Sequence, residues 1–128
     1  MTPTPGSNPR TPSRRDFLLT GAAFTSANFM NATLVGANLR GAILDGVSAI
    51  GANFNLVDGT KTSFNGADLS RTLMYGAQLS GADFSQANLT EARLQTARLT
   101  SAILAGAVLD GIADQAAEEV DVNIVDGV

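Results

Sequence analysis

A chain of 128 residues with no cysteine and no histidine fits one domain, and it lacks disulfides, thiolate nucleophiles, Cys/His zinc sites and any His-dependent triad. A formal net charge of −4 weighs against nucleic-acid binding. Six Phe, one Tyr and no Trp stand against 45% apolar residues and 13 Gly, so the apolar content is mostly small residues, the signature of a repeat rather than of an ordinary core.

In chain order, residues 1–20 read as a disordered N-terminal arm. All four prolines fall within residues 1–15, among Thr, Ser and Asn. The arm carries a competing reading. Ser13-Arg14-Arg15-Asp16-Phe17-Leu18 resembles a twin-arginine export motif, no charge follows Asp16 until Arg40, and Val35-Gly36-Ala37 has the small residues of a cleavage site. Alternatively, Phe17 and Leu18 cap the first coil of the repeat, with the arginines solvated. No run reaches about 18 clean apolar residues, so no transmembrane segment is expected.

Residues 21–111 are a repeat. Cut every five residues from Ala22, the chain reads AAFTS, ANFMN, ATLVG, ANLRG and so on to AVLDG, 18 units without a gap. The third residue is Leu, Phe or Met except at Ala49 and Gly59; the first is Ala except at Val47, Val57, Thr62 and Thr72. Period five smears large residues around an α-helix and flips them between the faces of a straight strand. It buries one stripe only if each unit is a very short strand followed by a corner. The first and third residues then point inward and the second outward. Gly36, Gly41 and the other fifth-position glycines suit a turn with positive φ.

These units resemble the pentapeptide-repeat proteins, whose A-(D/N)-L-x-x motif stands here as Ala37-Asn38-Leu39, Ala67-Asp68-Leu69, Ala82-Asp83-Phe84 and Ala87-Asn88-Leu89. The resemblance covers about 90 residues. It implies an all-β fold: a right-handed, four-sided parallel β-helix with four repeats per coil, about four and a half coils long. Four repeats per coil predicts core columns. One holds Phe24, Leu44, Phe64, Phe84 and Leu104. A second holds Phe29, Ala49, Leu69, Leu89 and Leu109. A third holds Leu34, Phe54, Met74 and Leu94, and the last Leu39, Gly59, Leu79 and Leu99. The weak members Ala49 and Gly59 predict a bulge, a bent coil or a small loop between residues 45 and 63, with Val57–Thr62 as a candidate recognition loop.

Residues 112–128 leave the pattern as an acidic C-terminal cap or tail. Ile112, Ala116, Ala117 and Val120 share a helical face, suited to covering the open ladder of the last coil. Asp114, Glu118, Glu119, Asp121 and Asp126 are read as the solvated side of that cap.

Most outward positions are polar. The exceptions define a candidate partner surface: Arg71, Leu73 and Tyr75 around one repeat, Val35 in the column of Tyr75, and Met30 above Ile50 in another column. Nothing pairs a carboxylate with a base, nucleophile or ligand set, so an enzyme is not expected, nor any cofactor or metal. The expectation is a protein-interaction or assembly scaffold with an unidentified protein partner, or a homodimer, in the cytoplasm. The family resemblance implies two alternatives. One is a nucleic-acid-mimicking inhibitor of a topoisomerase such as DNA gyrase, although residues 22–111 carry nearly balanced charge. The other is an exported or thylakoid-lumen structural repeat protein, since the family is abundant in cyanobacteria.

Overall fold

Every fifth residue turns the chain. In the computed structural model, which describes residues 18–112, the fifth residue of every unit from Gly21 to Gly111 has φ between 57° and 81°, whether or not it is glycine. The residue before it does not, so each corner has positive φ only at its third position, the mark of a type II turn. The corner is closed by the next unit's first N–H, which donates to the third residue's carbonyl, as from Ala27 to Phe24 at 2.9 Å. Nine of these corners carry side chains in the left-handed region, among them Leu56, Arg71 and the β-branched Thr96. Each costs on the order of 1 kcal/mol, which only the surrounding ladder can offset.

That ladder has a constant offset of twenty residues. Parallel bridges join second positions one coil apart, from Leu18–Asn38 through Asn53–Leu73 and Leu73–Arg93 to Asn88–Val108. The second residue's N–H donates to the coil before, as Leu73 to Ala52 at 3.0 Å. The third and fifth donate to the coil after, as Phe54 to Leu73 at 2.7 Å and Leu56 to Tyr75 at 2.9 Å. With a corner every five residues and a bridge every twenty, the described chain is a parallel β-solenoid with four sides. Side 1 holds units 22–26, 42–46, 62–66, 82–86 and 102–106. Side 2 holds 27–31, 47–51, 67–71, 87–91 and 107–111. Side 3 holds 32–36, 52–56, 72–76 and 92–96, and side 4 holds 37–41, 57–61, 77–81 and 97–101.

The scheme gives the fourth residue's N–H no backbone acceptor, and this explains the Asn/Asp preference at second positions. The second-position oxygen of Asn28, Asn38, Asn53, Asp58, Asp68, Asp83 or Asn88 accepts from the N–H two residues on, at 2.8–3.1 Å. Two units without such a residue borrow one from the coil before. Asp45 accepts from the Asn65 N–H at 3.0 Å, and Asn55 from the Tyr75 N–H at 2.8 Å.

The interior is filled by first and third positions. Phe54, Phe64, Phe84, Leu39, Leu44, Leu69, Met74, Leu79 and Leu89 are essentially inaccessible, while Phe24, Phe29 and Leu109 near the two ends of the described stack are partly covered. Phe64 stacks on Phe84 one coil away, centroids 5.1 Å apart and rings 2° from parallel. The inward threonines are satisfied: Thr62 donates to the Leu39 carbonyl at 2.6 Å and Thr72 to that of Leu69 at 2.7 Å.

Three expectations need correction. No bulge or loop interrupts residues 45–63, where Ser48–Asp68, Asp58–Gln78 and Ser63–Asp83 keep the twenty-residue register. The reason is volume exchange within a unit. Where the third residue is small, at Ala49 and Gly59, the first is enlarged to Val47 and Val57, and both valines are buried. Leu79 also leans into the space over Gly59, where a Cβ would meet its Cδ2 at 2.8 Å. The boundary between residues 20 and 21 lies too late, because the ladder already pairs Leu18 with Asn38 and Leu19 N–H with the Asn38 carbonyl. Finally, Leu18 does not cap the core: it is exposed, and Leu19, at the inward third position of Phe-Leu-Leu-Thr-Gly, packs against it. The helical cap expected of residues 112–128 falls, beyond Ile112, outside the described residues.

Leu69 is fully buried among apolar side chains. Replacing Leu69→Asp is expected to abolish cooperative folding, because an unpaired carboxylate there has no partner. Far-UV circular dichroism on heating checks this; a retained β spectrum with an unchanged melting temperature would contradict the inward phase.

Candidate interaction surface

The outward residues inherit their neighbours from the twenty-residue register. On side 3 the second-position column runs Thr33, Asn53, Leu73, Arg93, and the fourth runs Val35, Asn55, Tyr75, Gln95. Leu73 and Tyr75 are exposed, at 39% and 54%. The corner of the preceding coil adds Leu56, which the sequence reading missed. It is 58% exposed, and its Cδ2 lies 2.8 Å from where a Cβ on Gly76 would stand, so it lies over the corner that follows Tyr75. The signal was present: Leu56 is the only large aliphatic residue at a fifth position of the repeat, where glycine is preferred.

The other nominated residues do not join one cluster. Val35 is half-buried and separated from Tyr75 by Asn55, whose amide oxygen is engaged by the Tyr75 N–H. Met30, exposed, and Ile50, half-buried, stack as fourth positions of side 2, across a corner from side 3. Arg71 stands at a corner of side 2 and pairs with Glu91 one coil on, Nε to Oε1 3.4 Å, with both side chains well exposed. Such a pair contributes little stability.

Charge is sorted by side, although the sum is nearly neutral. Every described carboxylate except Asp58 lies on sides 1 and 2, and every described cation except Arg71 lies on sides 3 and 4. The rod therefore has an acidic half and a basic half, with the exposed Leu56, Leu73 and Tyr75 in the basic half beside Arg93. A net-charge count cannot see this; sorting the residues by twenty does.

Asp58 is the exception on side 4, and its surroundings explain it. Burial alone would raise its carboxyl. Hydrogen bonds from the Thr60 hydroxyl at 2.7 Å and the Thr60 N–H at 3.1 Å, with Arg40 at 3.3 Å, outweigh burial and hold it below the usual carboxylate value. Among the described residues no group of His, Cys, Asp or Glu is arranged to hold a metal ion. No helix among them is long and apolar enough to cross a membrane.

A family model for pentapeptide repeats matches eight copies, over residues 16–48, 44–74 and 77–112. The chain belongs to the pentapeptide-repeat family. Among solved structures, the repeat stack is similar to HetL, a pentapeptide-repeat protein involved in heterocyst differentiation regulation from the cyanobacterium Nostoc sp. strain PCC 7120. The identity is 27% over 87% of this chain and 61% of HetL, with a TM-score of 0.50. The chain thus spans about three fifths of that structure. A pentapeptide-repeat protein of the Arabidopsis thaliana thylakoid lumen matches at 25% identity over 96% of this chain and 76% of that one, TM-score 0.28. QnrB1, a plasmid-mediated fluoroquinolone resistance protein, matches at 20% over 81% and 60%, TM-score 0.37. No curated protein matches the chain in sequence.

Two measurements test the roles given to Leu56 and Asp58. Leu56 holds φ 62°, where glycine is unstrained, so Leu56→Gly is expected to keep or raise the melting temperature while removing an exposed apolar side chain. A drop of several degrees would show that Leu56 is structural. For Asp58, the lowered carboxyl stabilises the fold above its ordinary value of 3.8, and that contribution is lost as pH falls through the lower folded value. Urea unfolding of the wild type and Asp58→Asn is expected to show a stability gap at neutral pH that closes below about pH 3.8; a gap unchanged at about pH 2.5 would contradict the assignment.

Proposed function

We propose that this pentapeptide-repeat chain is a non-enzymatic interaction module that presents side 3 to a partner protein. The observation that carries this reading is the exposure of Leu56, Leu73 and Tyr75 together, next to Arg93, on a rod whose other outward columns are mainly polar. Tyr and Arg beside apolar contacts suit the centre of an interface, and the rigid ladder beneath limits the ordering cost of binding. In this reading the rod has the family's right-handed winding and about four and a half coils. The involvement of HetL in regulation supports a binding role rather than chemistry.

The nucleic-acid-mimic reading receives less support, because its acidic residues occupy only half the circumference and the opposite half is basic. A supercoiling assay with gyrase separates the two: stoichiometric inhibition would favour the mimic.

The direct test is crosslinking capture in the native host, using the full chain, Leu56→Gly, and the Leu73→Ser, Tyr75→Ser double variant. A specific partner is expected with the wild type and is expected to be lost with the double variant at unchanged melting temperature. Equal capture by the double variant would move the site off side 3.

A further inference from the structure

Sides 1 and 3 are opposite sides of the rod, and they carry charge of opposite sign. Among the described residues, side 1 holds Asp45 and Asp83 and no cation, and side 3 holds Arg93 and no carboxylate. The ion pairs Arg40–Asp58 and Arg71–Glu91 stand on sides 4 and 2, so neither uses a charge of side 1 or side 3. Each of the two sides also exposes an aliphatic residue at a second position, Ile43 on side 1 and Leu73 on side 3. Two residues on, at the fourth position, side 1 has the carboxylate of Asp45 and side 3 has the hydroxyl of Tyr75. The two sides thus present complementary groups at the same spacing.

Strands on opposite sides of a coil run in opposite directions. Turning a second rod end over end makes its side 1 run the same way as side 3 of the first. Second positions then face second positions, and fourth face fourth. Setting Ile43 of the turned copy against Leu73 therefore sets its Asp45 against Tyr75. A phenolic hydroxyl is a donor suited to a carboxylate. Within its own rod Asp45 uses only Oδ1, which accepts from the Ser63 hydroxyl and from the Asn65 N–H at 3.0 Å, and this leaves Oδ2 for an outside donor. Arg93 stands one coil beyond Leu73, about 4.8 Å away, and reaches toward the same carboxylate. In this register Asp83 faces Thr33 and Arg93 faces Ala23, so no like charges meet. All four described rows of side 3 are matched, over about 15–20 Å of rod.

We propose that the partner of side 3 is a second copy of this chain, whose side 1 lies on it antiparallel, with Ile43 on Leu73 and Asp45 on Tyr75 and Arg93. The two contacting sides differ, so every copy in a pair keeps one of its own free. The contact is heterologous and repeats along a two-fold screw into an open ribbon. A contact one side wide is small, so the ribbon is reversible and grows with concentration. The proposal rests on side 3 being a docking face, and it names what docks there.

A heterologous contact has a signature that an isologous one lacks: two variants that each spoil a different side rescue one another. Sedimentation velocity over a concentration series is run on the full chain, on Ile43→Lys, on Leu73→Glu and on an equimolar mixture of these two variants. The wild type is expected to grow beyond a dimer as concentration rises, and to shrink in about 0.5 M salt, which screens Asp45 from Arg93. Each variant alone is expected to stay a monomer with an unchanged circular dichroism spectrum. Arg93→Glu is a second variant of side 3 and is expected to behave as Leu73→Glu does. The mixture is expected to associate again, since Ile43→Lys keeps an intact side 3 and Leu73→Glu an intact side 1. A wild type that is monomeric at every concentration overturns the proposal. So does assembly that survives either single variant, or a mixture that stays monomeric. If the proposal falls in this way, capture of another protein that is lost in Leu73→Ser, Tyr75→Ser retains side 3 as a docking face, and capture that survives overturns both readings.

Discussion

The structure depends on one backbone constraint: a left-handed residue at every fifth position, held by a ladder with a twenty-residue offset. The corner brings first and third residues to the inside, and the ladder holds each corner against the cost of placing Leu56, Arg71 or Thr96 where glycine is favoured. Neither element is stable alone. A single type II corner is an ordinary turn, and a one-bridge strand is too short to pair by itself. Stacking makes them cooperative, since each coil supplies the acceptors for the donors of the next.

The same constraint sorts the surface. Outward residues adjacent in space are twenty apart in sequence, so any property of a side is dispersed along the chain. Asp45 and Asn55 serve the N–H of Asn65 and Tyr75 across coils. Arg71 meets Glu91 the same way. The separation of an acidic half from a basic half, and the grouping of Leu56 with Leu73 and Tyr75, are consequences of the register.

The fold was legible because inward positions repeat every five residues and tolerate little variation. Phe64, Leu69 and Phe84 announce the phase, and Gly41 or Gly81 the corner. Two features were hidden. The continuity of the coil through Ala49 and Gly59 depends on pairing each small third residue with Val47 or Val57 at the first position, which is visible only when both positions of a unit are read together. The candidate surface was half legible. Leu73 and Tyr75 stand out at outward positions, but Leu56 was passed over because fifth positions were read only as corners. The side chain of that corner lies along the axis over Gly76, a direction that periodicity does not reveal. Met30 and Ile50 were read correctly as a column, but they belong to side 2, across a corner from the patch.

The measurement that bears most directly on this account is the crosslinking register on side 3. The chain has no native cysteine, so a Leu73→Cys, Arg93→Cys variant reports one pair alone. These positions are bridged across neighbouring coils, at about 4.8 Å, within disulfide range. Mild oxidation is predicted to give an intramolecular disulfide, seen by non-reducing electrophoresis and mass spectrometry. The offset pair Leu73→Cys, Arg98→Cys, one corner away, is predicted to stay reduced. Crosslinking of the offset pair as fast as the bridged pair would contradict the twenty-residue register, and with it the sorting of the surface into sides.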